Sequence, residues 1–390
     1  MLKPPALDIE LFSDEVLADP WPTYRLLRDT APVVRLEQEE YEVYAVSRYE
    51  DVRDILRDWR RFSSAEGTGF NDLGNDATQS TVVGSDPPIH DQLRAVMNER
   101  LRLSEVKELT GLVQAKADEL VAALLERGNF DVVKDVSEQF VPAVMGELLG
   151  LEGARLRPFA TGGSATFDAL GPVNARTEAA FPILMEQLTL LGSFTKEDMV
   201  PGSMGWHIYD AGDRGELPED MCTALLLNYV GPAFETTINA IGSLLWLLGR
   251  DPEQWKFLKN GTTTVEAVVN ETLRMESPIA TWARYCHREV ELAGTEIPAD
   301  SRVAVLIGSG NRDERHYPDP DQFDARRNSR DQLAFGHGIH RCIGANLATA
   351  QLVTVLTAFV EQVTTLDVGE PMRRLNNTTR GLGSLPASIT

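Results

Sequence analysis

The chain has 390 residues, of which 43% are hydrophobic and 25% charged. Such fractions are ordinary for a folded globular protein and exclude a disordered or fibrous chain. A formal charge of −22 argues against nucleic acid as a partner and against docking on an anionic membrane.

No run reaches the roughly 18 apolar residues that a bilayer span needs. The longest, Met221 to Phe234, is interrupted by Asn228 and followed by Glu235, Thr236, Thr237 and Asn239. The opening Met1-Leu2-Lys3-Pro4-Pro5 has no apolar core, so no secretory signal is expected. Three scattered cysteines, Cys222, Cys286 and Cys342, are too few for a disulfide framework. A reduced, cytoplasmic protein is the expectation.

In chain order, Val33 to Leu36 and Tyr41 to Val46 read as a hairpin, with apolar residues at spacing two in the second strand. A helix is expected from Tyr49 to Trp59. Gly67 to Ser85 is rich in Gly, Asn, Asp, Ser and Thr and reads as a long loop of the kind that carries function. From about residue 88 to 250 the pattern is mainly helical. Ser104 is a plausible N-cap for a helix with Val106, Leu109, Val113, Ala117, Leu120 and Leu124 on one face, and Gly128 stops it. Pro218 to Gly249 is apolar nearly all round, as a helix through the protein's centre should be. Another helix covers Thr264 to Met275. Strand signals return at Glu289 to Leu292 and Val303 to Ile307, and a last helix runs from Ala345 to Val363. The expected class is mainly α with small β-sheets.

The most informative segment is Phe335-Gly336-His337-Gly338-Ile339-His340-Arg341-Cys342-Ile343-Gly344. Glycines let a backbone turn tightly and approach a flat ligand. A cysteine at a helix N-terminus meets unpaired N–H groups and the positive end of the dipole, which favour the thiolate. A single thiolate so placed suits a haem-thiolate centre. The bland alternative, an inert buried cysteine in a turn, fits Cys222 and Cys286 better. The segment resembles the haem-binding loop of the cytochrome P450 family: Phe335, Gly338, His340, Cys342 and Gly344 fill every place of its pattern. The resemblance implies haem b with Cys342 as the axial iron ligand and Phe335 and Gly336 against the cofactor.

Further segments are similar to the same family. Glu271-Thr272-Leu273-Arg274, with Arg327 four residues after Phe323 of Pro320-Asp321-Gln322-Phe323, matches its buried structural triad. On their own, Glu271 and Arg274 read as a solvated surface pair. Asp86-Pro87-Pro88-Ile89-His90-Asp91-Gln92-Leu93-Arg94 places His90 and Arg94 one helical turn apart; by resemblance they bind the haem propionates together with Arg284 and His340. Ala233-Phe234-Glu235-Thr236-Thr237 resembles the family's oxygen-activation motif. It implies that Thr236 stabilises the oxygen being activated and that Glu235 relays protons through water. The bland alternative is a threonine bonded back to a helix carbonyl, with the acid in a buried pair. Pro232 departs from the motif. Proline removes a donor and clashes with the carbonyl four back, that of Asn228, so a bent helix is expected.

The resemblance implies a single cytochrome P450 domain over 1–390. Its β-rich lobe would lie near 30–65, 285–310 and 375–390, and its helical lobe near 88–275 and 345–365, with the long helix over the haem. It implies a monooxygenase that consumes dioxygen and takes electrons from a ferredoxin served by a reductase. A peroxide-driven peroxygenase, a non-catalytic haem protein and a haem-free cysteine hydrolase using Cys342 and His340 are the alternatives. Leu375 to Pro386, and Phe167 to Pro172, are similar to segments of bacterial members that oxidise para-substituted benzoates. That suggests an aromatic substrate, including a methoxyarene losing its methyl group. Candidate pocket residues are Val82, Val83, Phe167, Leu170, Asn228, Gly231, Trp282 and Thr379. Gly67 to Ser85 contains Asp72 and Asp76 but no Lys or Arg. A buried carboxylate needs a cationic or multi-donor partner, so a neutral phenol or aryl ether fits better than a benzoate.

Overall fold

The computed structural model describes residues 1–38, 42–79, 81–218 and 220–390, with the side chains of residues 153, 154, 220 and 228 also outside the description. Five strands form the main sheet in the order Ala6–Leu7, Val33–Glu37, Glu42–Val46, Ser301–Val305 and Trp282–Cys286. The hairpin pairs Val33 with Val46 and Leu36 with Val43; Tyr41 lies outside the described residues. Because side chains alternate across a strand, Val34, Val43, Ala45 and Ala304 face one apolar cluster and Val33, Val46, Val303 and Val305 face another. Both faces are covered, so the central strands are apolar at nearly every position.

The helical lobe is built on one helix, Asp220–Gly249, which at about 1.5 Å per residue is roughly 45 Å long. Phe234, Ile241, Leu244 and Leu248 along it are fully buried. The helix continues without interruption through Pro232. The Thr236 hydroxyl donates to the Pro232 carbonyl at 2.6 Å, the back-bond available to a threonine inside a helix. Thr264 caps the helix Val265–Met275 by accepting from the Ala267 N–H. The final helix, Ala345–Gln362, packs its apolar face on Thr110–Arg127, which Gly128 ends at φ 72°.

Four expectations need correction. Ser104 is not a cap. Arg102, in extended backbone, starts the short helix Leu103–Glu108, and the chain breaks again at Leu109 before Thr110–Arg127, so the apolar series spans two helices. The segment from Gly67 to Ser85 is not wholly loop. Asn71 accepts from the Gly74 N–H and starts a helix, Asp72–Thr78. The expected helix from Tyr49 ends at Arg57. Finally, the last strand is not part of the main sheet. Pro386–Ile389 pairs with Asn129–Asp131 and Leu366–Val368, and Leu382, Leu385 and Ile389 pack in the helical core. Among the described residues no helix is long and apolar enough to cross a membrane.

Candidate functional site: a cysteine facing a central helix

The cysteine loop is held in shape from both sides. Gly338 has φ 68°, and a Cβ there would lie 2.8 Å from the Leu56 carbonyl and 2.9 Å from the Arg57 Cα. Only glycine fits where the loop lies on the end of the helix Tyr49–Arg57. The Cys342 N–H closes the loop by donating to the Phe335 carbonyl at 2.7 Å. The sulfur therefore sits at the head of the helix Ala345–Gln362 and lines a cavity of about 250 Å³. Cys222 and Cys286 are buried elsewhere; burial pushes the Cys286 thiol up to about 12.

The expected preference for thiolate is outweighed in the protein alone. Cys342 is open to the cavity but lies deep in the molecule. Burial raises its pKa, against the Gly344 N–H and the cations of Arg341 and Arg94. A metal ion bound to the sulfur would supply the missing charge, because coordination deprotonates a thiol outright.

The opposite wall is the central helix, which contributes Tyr229, Pro232, Ala233, Thr236, Thr237 and Ala240. Val82, Val83, Phe167 and Trp282 also line the cavity, and the Phe167 and Trp282 rings lie 6.3 Å apart. Leu170, Gly231 and Thr379 do not. Leu170 is buried where its carbonyl accepts from the Phe70 N–H. Gly231 faces Thr166 on another side of the helix. Thr379 lines a separate small void. The Asn228 side chain lies outside the described residues. Sequence reading missed Met97, Tyr229, Thr237 and Ile279; the helical step from Tyr229 to Pro232, Ala233 and Thr236 could have revealed the first turn of that wall.

Glu235 is also not on the cavity wall. Its Oε1 accepts from Asn239 Nδ2 at 3.0 Å, and Oε2 lies 3.7 Å from an Arg374 nitrogen, with no hydrogen-bond partner among the described residues. Burial raises its pKa, with Arg374 the main opposing influence. One residue along a helix is a turn of about 100°, so the acid and the adjacent threonine point to different sides.

Beside the cysteine loop, Arg94, Arg284 and His340 line the cavity. His90 stands behind His340, their rings meeting edge-on at 4.6 Å. Nε2 of each histidine is buried without a hydrogen-bond partner among the described residues. Arg284 is buried and donates to the Ala283 carbonyl at 2.8 Å; burial pushes its pKa down to about 10, with Asp86 opposing. Asp86 accepts from the Ser63 hydroxyl at 2.7 Å and the Ser64 N–H at 3.2 Å. It stays 3.7 Å from His340 Nε2, too far for a hydrogen bond. Burial lowers the His340 pKa to about 4. Two guanidinium groups and the His340 imidazole thus stand on one rim of the cavity, with the His90 ring behind them, a donor set of the kind that pairs with carboxylates.

Behind the loop, Arg274 grips both oxygens of Glu271 at 2.8 Å, Arg327 reaches one at 3.0 Å, and the Ser329 hydroxyl reaches the other at 2.5 Å. Both members of the Glu271–Arg274 pair are fully buried.

A family model described as Cytochrome P450 matches residues 207–387. Cytochrome p450 CYP199A2 of Rhodopseudomonas palustris is 33% identical over 395 residues, covering 99% of this chain and 95% of that protein. The chain belongs to the cytochrome P450 family. Cytochrome P450 monooxygenase PikC of Streptomyces venezuelae is also 33% identical, over 98% of this chain and 94% of its own. Among solved structures, Mycobacterium marinum cytochrome P450 CYP268A2, in complex with pseudoionone, superposes with a TM-score of 0.87 at 22% identity, covering 98% of this chain and 99% of that one. That likeness shows the fold.

Cytochromes P450 are haem b monooxygenases that bind the iron through a cysteine thiolate and use dioxygen, a substrate and redox partners. The residues here fit that group: one thiol faces the cavity, and a cationic rim with two unpartnered imidazole nitrogens stands beside it.

Proposed function

We propose that Cys342 is the iron ligand, that His90, Arg94, Arg284 and His340 hold the haem propionates, and that the enzyme oxidises a small, uncharged aromatic substrate. The observation that carries the substrate reading is the charge inventory of the wall. Among the described residues its only Lys, Arg, Asp or Glu are Arg94 and Arg284, both at the propionate rim. Apart from those two arginines, His340 and Gln351, the lining side chains are apolar or carry a hydroxyl or thiol, so a buried carboxylate away from the rim would find no cationic partner.

Bound haem supplies reductive activation of dioxygen, helped by thiolate donation. Phe167, Trp282, Val82 and Ile279 shape the pocket and exclude water from the reacting carbon. Thr236 and Thr237 line the cavity, with the Thr236 hydroxyl bonded back to the Pro232 carbonyl, and Glu235, on a different side of the same helix, is the buried acid that reaches them through water. With a methoxyarene, one oxygen atom enters the methyl C–H bond and the other leaves as water, using two electrons and two protons. The resulting hemiacetal collapses to a phenol and formaldehyde. The electrons come from a ferredoxin, and the setting is cytoplasmic, in keeping with three free cysteines.

The test is a spin-state titration of haem-loaded protein with neutral methoxyarenes and with para-substituted benzoates. The neutral ethers should shift the spectrum and the benzoates should not. Tight benzoate binding with no response to ethers would overturn the substrate reading. Turnover with NADH, ferredoxin and reductase, compared with turnover on peroxide, separates a monooxygenase from a peroxygenase.

A further inference from the structure

Three hydroxyl-bearing side chains of the central helix line the cavity: Tyr229, Thr236 and Thr237. Two of them are already committed. The Tyr229 hydroxyl donates to the Met97 carbonyl at 3.1 Å, and the Thr236 hydroxyl to the Pro232 carbonyl at 2.6 Å. A hydroxyl has a single proton to donate, so neither is free to give it to a ligand. Thr237 differs. It is 3% exposed, yet its hydroxyl makes no hydrogen bond among the described residues. It lacks even the bond to a helix carbonyl that its neighbour makes. Ala233 and Ala240, four residues before it and three after, share its helix face and line the same cavity. A buried polar group without a partner is costly, and here the open side is the pocket.

We propose that Thr237 is a specificity-determining residue that donates its hydroxyl proton to the oxygen of a neutral aryl ether. The inference rests on the reading of this cavity as an aromatic substrate pocket. An ether oxygen and a methylene are close in size, so the apolar walls at Phe167, Trp282 and Val82 cannot tell them apart. A hydrogen-bond donor can. One such donor in an apolar pocket also fixes orientation. It holds the ether end of the arene at the central helix, one residue along from Thr236. The other neutral polar side chain on the wall, Gln351, stands elsewhere. It belongs to the helix that begins at the cysteine loop, on the sulfur's side of the cavity. The hydroxyl keeps two lone pairs when it donates, so it can accept from a water while it holds the substrate.

The test is a spin-state titration of haem-loaded protein with para-methoxytoluene and para-ethyltoluene, which differ only by an oxygen in place of a methylene. The quantity read is the ratio of the two affinities, which cancels general changes in the pocket. Thr237→Val keeps the shape of the side chain and removes the donor. It should cut the preference for the ether about five- to ten-fold, through weaker ether binding with the ethyl compound little changed. Thr237→Ser should restore the wild-type ratio. An affinity ratio that is equal in wild type and Thr237→Val would overturn the anchor, as would a serine variant that behaves like valine. If neither compound shifts the wild-type spectrum, the reading of an aromatic pocket fails and takes the anchor with it. If both shift it and the ratio ignores residue 237, only the anchor fails. Should the valine variant fold poorly, Thr237→Ala against Thr237→Ser gives the same comparison.

Discussion

Glu271 and Glu235 are both buried glutamates on core helices, and they are equipped in opposite ways. Glu271 receives two bonds from Arg274, one each from Arg327 and Ser329, and one from the Asp324 N–H. Glu235 receives one, from Asn239, and leaves an oxygen without a hydrogen bond. A buried charge is costly unless paired and hydrogen-bonded. The saturated acid can only hold the fold together; the unsaturated one retains the freedom to take and give a proton. The same contrast separates the cluster behind the cysteine loop from the propionate rim, where both imidazoles keep an orphaned nitrogen.

The largest expected effect tests this contrast directly. Glu271→Ala leaves the buried Arg274 guanidinium without its carboxylate, as well as half-buried Arg327, and should cost about 3–5 kcal/mol, read by chemical denaturation, with haem content falling in step. Glu235→Gln should cost less than about 1 kcal/mol, because the neutral amide relieves a desolvation penalty that few bonds offset. Equal losses in the two variants would break the comparison.

The propionate rim comes next. Arg284→Leu removes one charge-assisted partner, worth about 1.5–3 kcal/mol, and should speed haem transfer to a globin acceptor roughly 10- to 100-fold. Asp86→Asn should act less strongly, since Asp86 touches Ser63 and Ser64 rather than the cavity. Unchanged haem transfer in Arg284→Leu would move the carboxylate receptor elsewhere.

What could be read from the sequence follows the same division. The cysteine loop was legible because its chemistry is packed into ten consecutive residues. The Glu271 and Arg274 pair was legible because three residues along a helix share a face. Arg327 was found only through its place after Phe323; nothing in its spacing shows that it reaches Glu271 across 56 positions. Contacts of Asp86 with Ser63 and Ser64 were hidden for the same reason. Direction was the other loss. Gly231 and Glu235 each sit one step from a cavity residue, and one helical step turns a side chain out of the wall. Thr379 lies in a loop with no period to say which way it faces. The strand at the C-terminus looked like part of the β-rich lobe because a strand's partners are not written in its own residues.

The smallest effect is a pH dependence that links the two halves of the comparison. Asp168, at the end of the helix Gly153–Asp168, accepts the Asn377 N–H at 2.8 Å. Burial pushes its pKa up to about 6, Asn377 and Arg176 pull it down, and the charge of Glu235 pushes it up further. The folded protein thus holds this proton more tightly than the unfolded chain does. Its contribution to stability is fully present below about pH 4, where both states are protonated, and is lost as pH rises to about 6. Two pKa units set a ceiling of about 3 kcal/mol, and partial solvent access brings the expected loss nearer 2 kcal/mol. Asp168→Asn keeps an acceptor for Asn377 and removes the titration. It should therefore be more stable than wild type above pH 6 by about 2 kcal/mol and converge with it near pH 4, measured as paired urea midpoints.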